Sequence, residues 1–132
     1  MVPLVLLMRA LKNVVIRFLG KEISCMTLFD MGSEVTAVQR SFFEESFGAK
    51  WSTLDKPLRL YWINGESIQA DKYAQITIII DDFNLPETVL VIDNFIKEVE
   101  VERRKIRLHE SIVGSGTMDK YGITLDPKEV LS

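Results

Sequence analysis

Three groups of side chains in this sequence have the types and spacing to do chemistry. The first is Asp30 in Leu28-Phe29-Asp30-Met31-Gly32-Ser33, a carboxylate at the end of an apolar run with a glycine two residues on. A carboxylate placed where a buried strand opens into a tight turn is aimed by the backbone rather than by free rotors, as general acid-base catalysis requires. Gly32 is expected to supply a positive φ for that turn, and Ser33 to return a hydrogen bond to the loop. The second group is the adjacent pair Asp81 and Asp82. Neighbours at a strand end point to opposite faces, and no His or further carboxylate stands at ligand spacing, so this pair is expected in a solvated loop with no metal. The third is Arg103, Arg104, Lys105 and Arg107, a basic cluster flanked by Glu98, Glu100 and Glu102. The glutamates largely neutralise it, which favours a solvated hairpin tip over a nucleic-acid patch. Cys25 lies in an apolar run without a nearby His and is expected to be a buried structural thiol. The lone His109 is expected at the surface or at a strand end rather than as a base.

The elements that must position these groups are mostly strands. Asn13 to Leu19 is rich in β-branched and aromatic residues and stops at Gly20-Lys21, a two-residue hairpin signal. The return strand, Glu22 to Phe29, alternates Ile23, Cys25, Thr27 and Phe29 against Met26, Leu28 and Asp30, which predicts that both faces are covered near its end and that the hairpin carries Asp30 inward. Ser41-Phe42-Phe43-Glu44 has capping-box spacing for a short helix closed by Gly48, with Phe42, Phe43 and Phe47 on one core-packing face. Pro57 to Ile63 and Ser67 to Ile80 read as strands joined at Asn64-Gly65, the strongest hairpin signal in the chain. A turn-rich loop is expected over Asp81 to Pro86, then a strand over Thr88 to Ile92 and a charged hairpin from Glu98 to Leu108. Ile112-Val113-Gly114 ends a buried strand, Met118 to Tyr121 makes a short helix stopped by Gly122, and Ile123 to Leu125 gives a last strand. The fold class is therefore all-β with one or two short helices.

Read together, three of these segments resemble the retropepsin-like aspartic proteases. Asp30-Met31-Gly32-Ser33 is similar to that family's Asp-Thr/Ser-Gly-Ala/Ser after a hydrophobic strand. Ser111-Ile112-Val113-Gly114-Ser115-Gly116-Thr117-Met118-Asp119-Lys120-Tyr121-Gly122-Ile123 resembles its second signature, two apolar residues and a glycine leading into a short helix. Tyr61-Trp62-Ile63-Asn64-Gly65-Glu66-Ser67-Ile68 resembles the hairpin that supplies the flap. The segments follow the family's order, and the similarity spans roughly residues 12 to 127. The resemblance implies a closed barrel-like retropepsin fold active as a homodimer, with Asp30 catalytic and Met31, Gly32 and Ser33 completing the active-site loop. It further implies that Trp62, Ile63, Asn64, Gly65 and Glu66 bind substrate from the flap, and that Ile112, Val113 and Gly114 wall the groove. The implied reaction is hydrolysis of extended polypeptides by a water activated between two aspartates, one from each subunit, with no cofactor and no metal. Met31 departs from the family's Thr or Ser, and a thioether donates no hydrogen bond across a dimer. That departure keeps open a second reading, a protease-like domain serving as a dimerisation or peptide-binding module. A third reading, an unrelated all-β module binding nucleic acid through Arg103 to Arg107, is the weakest.

Bulk properties fit this frame. The 132 residues are expected to form one domain over 1–132, and at 47% hydrophobic and 27% charged they can build a core without disulfides or metals. A net charge of −3 gives no global attraction to nucleic acid or anionic lipid. The single cysteine excludes an intrachain disulfide and suits a reducing compartment. The apolar run Val2 to Met8 lacks a basic flank and a small-x-small site, and is too short to span a bilayer, so it is expected as a strand or docking arm in a cytoplasmic protein without membrane contact.

Overall fold

A computed structural model describes residues 6–8, 11–61, 67–93, 98–107 and 109–126. Within them lie eleven strands and two short helices. In chain order these are β1 (Leu6–Met8), β2 (Leu11–Phe18), β3 (Lys21–Asp30), β4 (Ala37–Gln39), α1 (Arg40–Phe47), β5 (Ser52–Tyr61), β6 (Ser67–Ile80), β7 (Phe83–Ile92), β8 (Glu98–Val101), β9 (Arg104–Arg107), β10 (Ser111–Gly114), α2 (Ser115–Tyr121) and β11 (Ile123–Leu125). The main sheet runs β2-β3-β10-β4-β7-β6-β5, and a further pairing of β2 with β6 closes its first six strands into a barrel. Closure rests on Val15, Ile16 and Arg17 opposite Ile79, Ile78 and Thr77. Each of those six strands thereby has a neighbour on both sides, although the three-residue β4 covers only the end of β7.

Period-two alternation fills the interior. Val14 and Ile16, Cys25 and Phe29, Val38, Ile76, Ile78 and Ile80, Leu85, Val89 and Val91, and Val113 form one buried cluster. Phe43 and Phe47 of α1 and Met118 of α2 join it. Phe18 and Trp51 lean on the two helical rings, with Phe18 5.0 Å from Phe43 and Trp51 6.0 Å from it, centroid to centroid. The space left between Val14, Thr27, Thr36, Ile78, Ser111 and Val113 is a cavity of about 10 Å³, room for one water and nothing larger. The barrel is a packed core and not a ligand lumen, so any binding chemistry lies on its outside.

Several boundaries differ from the sequence reading, each for a local reason. The first hairpin turns at Leu19-Gly20, not Gly20-Lys21: Phe18 pairs with Lys21, and Leu19 and Gly20 have φ of 50° and 81°. Two consecutive left-handed residues make the tight turn that matches strand twist, and the second is the glycine. The capping box of Ser41 and Glu44 does not form. The helix begins two residues earlier, with Gln39 as N-cap and no side-chain cap bond, because Gln39 is also the last ladder residue of β4, paired with Ile92. Of the aromatic stripe, Phe43 and Phe47 are buried and Phe42 only partly so. The loop expected over Asp81 to Pro86 shrinks to the two residues Asp81 and Asp82, and Pro86 sits inside β7 opposite Thr77. A proline is tolerated there because β4 pairs only with Leu90–Ile92 and leaves this part of β7 an edge. Asp81 and Asp82 are exposed as expected, Asp81 at 3.2 Å from Lys12. The charged hairpin exists as its own two-stranded sheet, with Glu98 opposite Arg107 and Glu100 opposite Lys105.

Candidate active site

Chain order and space diverge at the decisive place. β3 and β4 are consecutive in sequence, yet β10 lies between them, parallel to β3 and antiparallel to β4. The segment 31–36 must therefore cross the end of β10, and it is there that Asp30 stands, opposite Gly114. On β3 the side chains of Cys25, Thr27 and Phe29 fill the barrel, so alternation turns Asp30 to the outer face. It is half-buried at the strand end and not carried into the interior as the hairpin pattern implied.

The loop after Asp30 is held by its own backbone and by β10 and α2. The Gly32 N–H donates to Asp30 Oδ1 at 2.9 Å and the Ser33 N–H to the Asp30 carbonyl at 3.2 Å. The Ser33 hydroxyl donates to the Val35 carbonyl at 2.8 Å, the return bond expected of it. From the other side, the Ser115 N–H donates to the Ser33 carbonyl at 2.7 Å. The Gly114 N–H donates to Thr36 Oγ1 at 3.1 Å, and Thr36 Oγ1 shares a 2.6 Å hydrogen bond with Thr117 Oγ1, both threonines being buried. Gly32 is not among the residues with positive φ. Its contribution is space: a Cβ there would stand 3.2 Å from Asp30 Oδ1, crowding the carboxylate it donates to.

Gly114 is the tightest point. A Cβ on it would lie 2.4 Å from the Val35 carbonyl oxygen and 2.6 Å from that of Ser33. Only a residue without a side chain lets β10 press this closely on the Asp30 loop. Of the three residues expected as groove wall, Gly114 is thus a packing contact and Val113 belongs to the barrel core, 2% exposed, because it alternates with Ile112. Ile112 alone faces the same side as Asp30. It stands in a row of directly opposed residues that crosses the outer face, Leu11, Leu28, Ile112, Ala37, Leu90 and Tyr73. Ala37 and Leu90 join Ala70 and Ile92 in a second apolar cluster, against which Val35, Leu60, Ile68 and Tyr73 pack. The carboxylate therefore sits at the margin of a second, buried apolar cluster outside the barrel.

Around Asp30 the electrostatics are sparse. No second carboxylate is hydrogen-bonded to it and no cation pairs with it among the described residues. His109, half-buried just before β10, has its pKa lowered by burial, an effect that the nearby Asp30 charge partly opposes. Cys25 is buried, as expected, and burial raises its pKa, while hydrogen bonds from Ser111 and Thr27 oppose the rise. No group of three His, Cys, Asp or Glu residues converges as a metal site among the described residues. Met31, beside Asp30, points its thioether to solvent at 55% exposure.

The flap residues Trp62, Ile63, Asn64, Gly65 and Glu66 lie outside the described residues; the strands on either side, β5 and β6, pair with each other as far as Tyr61 opposite Ser67. Thr36, Thr117, Ser115 and Val35 were not singled out in the sequence. They matter because two segments about 80 residues apart meet, and no local pattern announces that.

No family model matches the chain, and neither does any curated protein. Among solved structures, a Legionella pneumophila protein of unknown function (DUF785) is similar over 95% of each chain, with a TM-score of 0.55 and 10% sequence identity. At that identity the likeness speaks to the all-β barrel fold alone. Among the described residues no helix is long and apolar enough to cross a membrane.

Proposed function

We propose that this chain is an aspartic endopeptidase in which Asp30 supplies one of two catalytic carboxylates and a second copy supplies the other. The observation that carries the reading is the fixed presentation of Asp30. Its loop is bonded to itself and to β10 and α2, and an apolar outer row runs alongside it. One carboxylate cannot run the reaction. Two carboxylates at contact cannot both ionise cheaply, so the pair holds one proton. The ionised member takes a proton from water as its oxygen bonds to the peptide carbonyl carbon, and the protonated member gives its proton to the carbonyl oxygen. Collapse of the tetrahedral species breaks the C–N bond, with a proton delivered to the leaving nitrogen.

An isologous pair with Asp30 at the axis provides the second carboxylate without any further residue from the chain. An extended peptide lying between the copies would run over the exposed Leu11 and Met26 and the half-buried Leu28 beside Asp30, since Ile112, Ala37 and Leu90 are buried, so apolar residues beside the cut bond are favoured. A statine-type peptide, whose hydroxyl mimics the tetrahedral species, is expected to bind wild type and to lose most of its affinity for Asp30→Asn. Equal affinity for both proteins contradicts the reading. The exposure of Met31 favours one second reading, a peptide-binding or dimerisation module of the same fold, and a peptide held tightly but never cut supports it.

A further inference from the structure

The barrel interior is apolar layer by layer until its end beside the β2–β3 turn. Ile16, Ile78 and Leu85 stand in one inward layer, and all three are buried. One step toward the turn, the same alternation makes Phe18, Ile76 and Glu87 the inward positions of β2, β6 and β7. A carboxylate thus completes a layer that is otherwise hydrocarbon, and its side chain keeps only 16% of its surface exposed. The fold leaves room in front of it. The last β2–β6 pair is Arg17 with Thr77, and past it the ladder stops. Between the turn, these strand ends, β7 and the end of α2 lies an open cleft of about 420 Å³, within the range that small organic ligands occupy. Leu19 lines it as well, 73% exposed and held at a left-handed φ of 50° that leucine rarely adopts.

We infer that this cleft binds a small primary amine with a short apolar stem, the ammonium held by Glu87 and the stem laid against Phe18, Ile76 and Leu19. The charges of the cleft favour a cation over an anion. Arg17 directs Nε and Nη2 to Glu22 Oε1, at 2.9 and 2.7 Å, and so is already engaged by a carboxylate that does not line the cleft. Among the described residues the one donor to the Glu87 carboxylate is Lys120 Nζ, 3.3 Å from Oε2. That pair is lopsided. Glu87 is fixed on a strand and mostly buried, whereas Lys120 reaches in from solvent on a flexible stem that is 56% exposed. An ion pair with so exposed a partner contributes little and does not offset the burial of a carboxylate. A ligand ammonium can take the place of Lys120, bring its own hydrocarbon into the cleft and exclude the water that weakens the pair. Lys120 keeps a second resting place over the Tyr121 ring, whose centroid lies 5.1 Å from Nζ. The site stands at the opposite end of β3 from Asp30 and does not rest on the role given to that residue.

The test is a titration of the full chain with phenethylamine, followed residue by residue in amide proton–nitrogen correlation spectra. Phenethyl alcohol serves as the neutral isostere and phenylacetate as the probe of opposite charge, on wild type, Glu87→Gln and Lys120→Met. The amine is expected to give saturable shifts centred on residues 17–20, 75–77 and 86–88. The alcohol is expected to bind about tenfold more weakly or worse, as loss of a charge-assisted hydrogen bond implies, and Glu87→Gln to weaken the amine by the same factor. Lys120→Met removes the competing ammonium and is expected to bind the amine at least as tightly as wild type. Circular dichroism checks the fold of both variants; if Glu87→Gln does not fold, the amine-to-alcohol ratio on wild type and the Lys120→Met titration decide. The inference is overturned by an amine that gives wild type no saturable shift, by shifts centred on residues 30–33, or by undiminished binding to folded Glu87→Gln. A preference for phenylacetate that Lys120→Met abolishes would make the cleft an anion site and overturn it as well.

Discussion

Gly114→Ala is the most informative single substitution, because its cost follows from distances. The added Cβ would stand 2.4 Å from the Val35 carbonyl oxygen, about 1 Å short of ordinary contact at 3.4 Å, and 2.6 Å from the Ser33 oxygen. Both obstructions are backbone, so no rotamer change relieves them. Either β10 or the 31–36 loop must retreat. Retreat breaks the Ser115 N–H bond to Ser33 and the Gly114 N–H bond to Thr36 Oγ1. Overpacking a tight site costs about 1–3 kcal/mol, and each broken bond about 1 kcal/mol more. A total of roughly 3–5 kcal/mol lowers the melting temperature of a domain this size by about 10–20 °C. Gly20→Ala is the comparison: nothing lies within 4 Å of its Cβ, but φ is +81°. A left-handed conformation alone costs roughly 1–2 kcal/mol. Thermal unfolding by circular dichroism separates the two. If Gly114→Ala melts together with Gly20→Ala, the close approach of β10 to the Asp30 loop is not as described. Any activity is expected to fall further in Gly114→Ala than stability alone explains, since Asp30 pairs with this residue.

Other outcomes follow from the same geometry. Thr36→Val removes the hydroxyl that accepts from Gly114 and pairs with Thr117, and leaving buried polar partners unmet is expected to cost about 1–3 kcal/mol in denaturant unfolding. Burial raises the Cys25 pKa, so on the alkaline side of the usual thiol range near 8.5 the unfolded chain gives up a proton that the folded one keeps. Stability should then fall as pH rises through that range, less so in Cys25→Ala, and the native thiol should resist alkylation until unfolding. Burial lowers the His109 pKa, so just below about pH 6.5 the unfolded chain binds a proton that the folded one refuses. Stability should fall as pH falls through that window, and His109→Gln should flatten this arm of the pH–stability curve.

Much of the strand content was readable from local pattern. The strand expected over Ser67 to Ile80 is β6, and the alternation after Glu22 located β3, of which Cys25, Thr27 and Phe29 are buried while Met26 on the other face is exposed. Where the reading missed, a longer-range contact had won. The pairing of Gln39 with Ile92 ends β4 two residues before the expected cap, so α1 starts earlier than Ser41 implied. The free edge of β7 admitted Pro86, which composition alone assigned to a loop. Alternation was sound for Ile112 and Val113, but it sends only Ile112 outward, and the expectation for Val113 ignored its own parity. The Asp30 turn was visible as a turn, yet the groups that hold it, Thr36, Gly114, Ser115 and Thr117, become neighbours only because β10 inserts between β3 and β4. That insertion and the β2–β6 closure are properties of topology, and neither leaves a mark in any short window of sequence.

The most direct measurement is cleavage of an unbiased peptide mixture by wild type and Asp30→Asn in parallel, from acid to neutral pH, read by mass spectrometry. Defined cuts next to apolar residues, strongest on the acid side and absent from the Asp30→Asn protein, are the expected result. Cuts that persist in a folded Asp30→Asn protein, or a folded, dimeric wild type that cuts nothing, would contradict the assignment of Asp30 as a catalytic carboxylate.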